Sequence, residues 1–112
     1  MLGNSSAQVA SAESLLRTIG RELTAWGEGD ETCPTEDRAR MRLQIAQVVQ
    51  SCRDVVQNLM KSSGAGAHML SHDMQRILRD INTLSCHTIF DTEVGAENYG
   101  RVLLGMDPAS PV

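Results

Sequence analysis

Residues 35–61 read TEDRARMRLQIAQVVQSCRDVVQNLMK, and this stretch decides the fold. Thr35 is a good helix N-cap, and Glu36 and Asp37 follow it where the positive end of a helix favours acidic side chains. Apolar residues then recur every three or four positions, which predicts a helix to about Lys61. The stripe is broad, so this helix should contact neighbours on two sides, as the central helix of a bundle does. Its members are Met41, Ile45, Val48, Cys52, Val55 and Leu59, widened by Ala46, Val49, Val56 and Met60.

The segment before it predicts another long helix, from about Ser6 to Trp26, with Ser5 or Ser6 as its cap. The glycines in GEGD, residues 27–30, are suited to ending it. Its apolar residues alternate at spacings of three and four, which places them on one stripe, as in the seam of a helical bundle. They are Val9, Ala12, Leu16, Ile19, Leu23 and Trp26.

Small residues at 62–67 interrupt the apolar pattern, and two shorter helices are predicted beyond them. The third helix begins after Ser71. The last runs from Thr92 or Glu93 to Leu104, with Gly105 well placed just after its end. The third helix has a buried stripe of Met74, Ile77, Ile81, Leu84 and Thr88, flanked by Leu78 and Ser85.

The composition is that of one small domain, since 112 residues allow a single hydrophobic core. Aromatic residues make up only 3% of the chain, so the core must be aliphatic, which is typical of packed helices. We therefore predict an all-α antiparallel helical bundle over residues 1–107, completed by oligomerisation, and a flexible tail at 108–112.

Charge and cysteine content exclude several classes of protein. A net charge of −4 speaks against nucleic acid as a partner, because phosphate binding needs a concentrated positive field. The 3 cysteines are odd in number and widely spaced, unlike a disulfide framework or a paired-cysteine zinc site. No secretory leader is recognisable, and no apolar run approaches the roughly 20 residues that cross a bilayer. We expect a cytoplasmic protein that binds neither membrane nor metal.

Four polar residues of the third helix lie on one stripe beside its apolar face: Arg76, Asp80, Thr83 and His87. Two interpretations remain open. In the structural one, Asp80 pairs with Arg76, and His87 is a partly buried residue bonded to a neighbouring helix. In the functional one, His87 faces a cleft as an acid or base, because its side chain titrates nearest neutrality.

A wider pattern resembles a known family. The last part of the chain is similar to the end of flavin-dependent relatives of the acyl-CoA dehydrogenases, in the branch of two-component aromatic hydroxylases and monooxygenases. The residues that carry this resemblance are Gln75-Arg76-Ile77-Leu78-Arg79-Asp80, His87, Tyr99-Gly100-Arg101 and Leu104-Gly105. The run TEDRAR at 35–40 extends the resemblance upstream, so that it covers about Glu13 to Gly105. It implies the family's C-terminal all-α domain, which takes part in subunit assembly. A complete member also has an N-terminal helical domain and a middle β domain, and this sequence contains neither.

The resemblance implies roles for three residues. His87 falls where the hydroxylase branch has an active-site histidine that assists proton transfer at a phenolic substrate. Gly64 and Gly66 fall in a glycine-containing turn that approaches the flavin, either FAD or reduced FMN. The sequence departs from the family pattern at Asp73, where a proline is common.

Two functions of different classes follow. The first is the C-terminal part of a flavin-dependent oxidoreductase or monooxygenase, incomplete as an enzyme by itself. The alternative is a non-catalytic helical module for oligomerisation or partner binding. We expect a dimer or tetramer of this chain, or a separate chain that supplies the missing domains.

Overall fold

Four α-helices and a single 3₁₀ turn make up the computed structural model, which describes residues 2–64 and 72–112. The helices are α1 (Leu2–Glu28), α2 (Thr35–Ser62), α3 (Asp73–Ser85) and α4 (Thr92–Leu103), and the 3₁₀ turn is Thr88–Phe90. No strand occurs in these two ranges. The prediction of an all-α fold is confirmed.

The second helix is central, as its broad apolar stripe predicted. Each extensive interface between helices includes α2, which packs against α1, α3, α4 and the 3₁₀ turn. The backbones of α2 and α4 approach closely at Gly95, where a Cβ atom would lie 3.2 Å from Cδ1 of Leu43. A larger residue at this crossing would require the Leu43 side chain to shift by a few tenths of an ångström.

The first helix is longer than predicted and only half of its apolar stripe is covered. It begins at Leu2, and Ser5 is buried within it, so the predicted cap at Ser5 or Ser6 is wrong. Ala12 and Ile19 are buried, because they face α2. The other side of the stripe stays nearly half exposed because α1 has a single extensive neighbour. We call this exposed set the α1 apolar line: Leu2, Val9, Leu16 and Leu23.

A half-buried ion-pair cluster joins α1 to α2. Nη2 of Arg40 lies 2.5 Å from Oε1 of Glu22 on α1 and 3.2 Å from Oδ1 of Asp37. The hydrogen bond to Glu22 is the main reason why the pKa of Arg40 is raised above its ordinary value, with burial opposing it and Asp37 adding to it. We expect this cluster to restrain the register of the two long helices, because Arg40 bonds to a residue of each.

The residues after Asp107 fold back along the molecule. Asn98, which is 1% exposed, accepts hydrogen bonds from the backbone N–H groups of Ala109 and Ser110 and donates one to the Ser110 hydroxyl. Arg42 of α2 donates to the carbonyl of Pro111. The segment predicted as a flexible tail contacts α2 and α4 through these hydrogen bonds, and its flexibility stays a prediction. The domain boundary at 107 stays a prediction.

Within the described ranges, none of the helices is both long and apolar enough to span a membrane.

Candidate functional site: the His87 turn

The segment that carries His87 is a turn between α3 and α4. We call residues 86–91 the His87 turn. The third helix ends at Ser85, and His87 has extended backbone angles (φ −66°, ψ 136°) that start the 3₁₀ turn. The carbonyl of His87 accepts a hydrogen bond from the Phe90 N–H at 2.9 Å. Asp91 then caps α4 by accepting from the N–H groups of Glu93 and Val94.

The His87 side chain has one nitrogen engaged and one free. Its Nδ1 accepts a hydrogen bond from the Ile89 N–H at 3.2 Å. An accepting nitrogen carries no proton, so in the neutral ring the proton is on Nε2. The ring also meets Phe90 edge-to-face, with centroids 6.0 Å apart. The residue is exposed, and its Nε2 has no partner among the described residues.

An amide on the central helix ties both sides of the turn to α2. Nε2 of Gln50 donates to the carbonyl of Phe90 at 3.1 Å and to that of Ser85 at 3.4 Å. Sequence reasoning missed Gln50, because it lies beside the apolar stripe of α2 and belongs to no motif. The sequence offers no signal for such a contact, since both acceptors are backbone atoms.

The polar stripe predicted on α3 is only partly formed. Arg76, Asp80 and Thr83 lie on the helix and are exposed, but His87 lies beyond its end. Arg76 and Asp80 form no ion pair in the described structure, and the Thr83 hydroxyl donates to the Arg79 carbonyl instead. The structure does not support the interpretation of His87 as a partly buried residue bonded to a neighbouring helix, because in the described structure its ring is exposed and accepts a hydrogen bond from its own turn.

The apolar face of α3 is also rotated from the predicted one. Ile77 and Leu84 are exposed, while Leu78, Ile81 and Ser85 lie on the more buried side.

Of the two candidate flavin-contacting glycines, the structure describes one. Gly64 follows the end of α2 with φ +77°, a left-handed conformation that favours glycine, and no atom of the described residues lies within 4 Å of the position of a Cβ atom. Gly66 lies outside the described residues. His72 caps α3 through Nδ1, which accepts from the Met74 N–H. The described residues contain no group of three potential metal ligands.

Comparison with known proteins places the chain in a family. Residues 1–92 match the family model described as acyl-CoA dehydrogenase, C-terminal domain. A pigment production hydroxylase from Rhodococcus sp. is 30% identical over 111 residues, covering 99% of this chain and 28% of the relative. The oxygenase component of p-hydroxyphenylacetate 3-hydroxylase from Acinetobacter baumannii is 32% identical over 107 residues, covering 96% of this chain and 25% of the relative.

Solved structures show the same fold. XiaF from Streptomyces sp., in complex with FADH2 and glycerol, superposes with a TM-score of 0.91 at 27% identity over 98% of this chain and 28% of that one. The HsaA monooxygenase from M. tuberculosis gives 0.87 at 22% identity, over 96% of this chain and 28% of that one, and supports the fold alone. The chain spans about a quarter of the length of the curated relatives it matches. It belongs to the acyl-CoA dehydrogenase C-terminal domain family, as its sequence motifs indicated.

Proposed function

We propose that this chain is the C-terminal part of a flavin-dependent aromatic hydroxylase, and that His87 contacts the phenolic hydroxyl of the substrate. One observation carries the proposal. Two hydroxylases match 96–99% of this chain, and in this chain's structure His87 is exposed and its Nε2 has no partner among the described residues. The non-catalytic alternative has no comparable observation in its favour.

The bond at Nδ1 supports one role for His87 at the substrate. A neutral ring that accepts the Ile89 N–H at Nδ1 donates from Nε2, and so stabilises the negative oxygen of a phenolate. Accepting the phenol proton at Nε2 would require the ring to begin with its proton on Nδ1, and the bond to Ile89 would be lost. His87 thus acts as a hydrogen-bond donor to the phenolate oxygen.

The flavin belongs to the complete protein. When bound, a reduced flavin (FADH2 or reduced FMN) supplies the electrons that activate dioxygen for hydroxylation. Gly64 fits a contact with it, because no side chain of the described residues keeps a ligand from approaching its backbone. Gly66 is proposed to share this role. The other contacts come from the three quarters of the relatives' length that have no counterpart here.

The exposed apolar surface supports self-association of this domain. Val9, Leu16 and Leu23 are 48%, 45% and 49% exposed and lie seven residues apart on α1. Beside Leu23, an apolar groove of about 250 Å³ extends to Ile45 and Ile89. Seven-residue spacing is typical of helices that pack in a bundle seam. We propose that a second copy covers the α1 apolar line, giving a dimer or tetramer; a separate chain carrying the other domains is the remaining candidate.

The cysteines support a cytoplasmic location within this proposal. Cys33, Cys52 and Cys86 are all free thiols, which is the usual state in the reducing cytoplasm. The net charge of −4 argues against nucleic acid as a partner, because phosphate binding needs positive charge.

A chimeric enzyme tests the proposed function. The C-terminal quarter of the Acinetobacter hydroxylase oxygenase component is replaced by this chain, and hydroxylated p-hydroxyphenylacetate is measured with reduced flavin and oxygen. We expect product from the chimera and none from the same relative truncated before the replaced quarter. A folded, flavin-binding chimera that forms no product would contradict the proposal and favour the non-catalytic alternative.

A further inference from the structure

In the described structure, Gln50 is the one α2 side chain that forms hydrogen bonds across the His87 turn. Gln50 donates both of its hydrogen bonds across this junction, one to Ser85, two residues before His87, and one to Phe90, three residues after it. The two acceptors therefore flank the histidine. Neither carbonyl accepts another hydrogen bond from the described residues.

The need for such a donor follows from the chain's local structure. The last carbonyls of a helix lack partners within the helix, and Ser85 ends α3. The hydrogen bonds inside the turn, from Phe90 to His87 and from Asp91 to Thr88, hold its shape. They form no link to α2, against which the turn also packs through apolar contacts. Gln50 supplies a link that restrains the turn, because its amide is part-buried and two backbone groups orient it.

We propose that Gln50 is a positioning residue for His87, which acts on the reaction by fixing the turn that presents Nε2. This inference rests on the proposed role of His87 in hydroxylation. The substitution Gln50→Met removes both donors and keeps an unbranched side chain of similar length. Gln47→Met, at an exposed position one turn earlier on α2, is the matched control.

The first test needs no catalysis and uses the full 112-residue chain. Backbone ¹⁵N relaxation is measured at His87 and Ile89. We expect order parameters near 0.85 in the unsubstituted protein and in Gln47→Met, and values below about 0.6 in Gln50→Met. Unchanged order in a folded Gln50→Met protein would overturn the proposal. Should Gln50→Met not fold, Gln50→Glu, which retains the size but has no donors when ionised, replaces it.

The second test separates positioning from a general structural role. In the hydroxylating chimera, Gln50→Met should lower kcat about tenfold or more while KM changes little, because small displacements of a reacting group are costly. In the His87→Ala background the same substitution should have no further effect. An equal loss in both backgrounds would show that Gln50 does not act through His87. If His87→Ala itself leaves the rate unchanged, the proposed function fails, whereas the relaxation result still decides whether Gln50 orders the turn.

Discussion

At His87, one backbone hydrogen bond decides which ring nitrogen is available for chemistry. The sequence placed His87 on the third helix, in line with Arg76 and Asp80, and left its role open between core residue and acid or base. The structure ends the helix at Ser85 and gives Nδ1 the Ile89 N–H as its partner. As a result, Nε2 of His87 has no partner among the described residues and is exposed, whereas a core position would have buried it. Its assignment to a substrate remains the proposal made above.

Gly64 illustrates how one residue can have a conformational role and a candidate binding role together. Its φ of +77° is costly for any side chain, whereas Gly20 lies in the middle of α1 with open space around it. Gly64→Ala should therefore lower the free energy of unfolding by about 1 kcal/mol. Gly20→Ala should raise it by about 0.5–1 kcal/mol, because alanine favours the helix. Urea denaturation measures both. A neutral Gly64→Ala would mean that the left-handed conformation is not required.

At the scale of elements, the long helices could be predicted and the His87 turn could not. The apolar stripe of α2 marked it as central, and Gly105, with φ +78°, lies just after α4 as expected. By contrast, Cys86-His87-Thr88 contains neither glycine nor proline, which would have marked the end of a helix. The apolar periodicity therefore predicted that the third helix continues through these residues. The hydrogen bonds from Gln50 to Ser85 and Phe90 depend on tertiary packing, which the spacing of residues along the sequence does not predict. Gly66 lies outside the described residues, so its role stays a prediction.

The α1–α2 ion pair gives a prediction at this scale. A double-mutant cycle with Arg40→Gln and Glu22→Gln should yield a coupling of about 0.5–1 kcal/mol in urea denaturation, decreasing in 1 M salt. The matched pair Arg17–Glu13, which is well exposed, should couple by less than about 0.5 kcal/mol. Since the pKa of Arg40 is raised, its contribution is complete at neutral pH and is lost only as the pH rises through that pKa. Equal coupling for the two pairs would contradict the restraint proposed between α1 and α2.

At the scale of the whole molecule, the main feature is apolar surface that the chain does not cover. Among the described residues, the α1 apolar line stays largely exposed and the groove at Leu23 is open. Covering this surface with another helix stabilises the assembly by roughly 25 cal/mol per Å² before the entropic cost of association.

This surface makes the oligomeric state testable by sedimentation. We expect the unsubstituted chain to sediment as a dimer or tetramer at micromolar concentration, and Leu16→Glu to shift it towards the monomer, because burying a charge in an apolar seam is costly. Ser14→Glu, at an exposed position elsewhere on α1, should leave the assembly unchanged. A monodisperse monomer of the unsubstituted chain would contradict self-association through α1.

The central claim is that this domain contributes His87 to the hydroxylation of a phenol. The rate of product formation by the chimeric hydroxylase, compared between His87 and His87→Ala, measures it most directly. If Nε2–H stabilises the phenolate oxygen, His87→Ala should lower kcat about 100-fold with flavin binding unchanged. A His87→Ala chimera as active as its parent would contradict the claim.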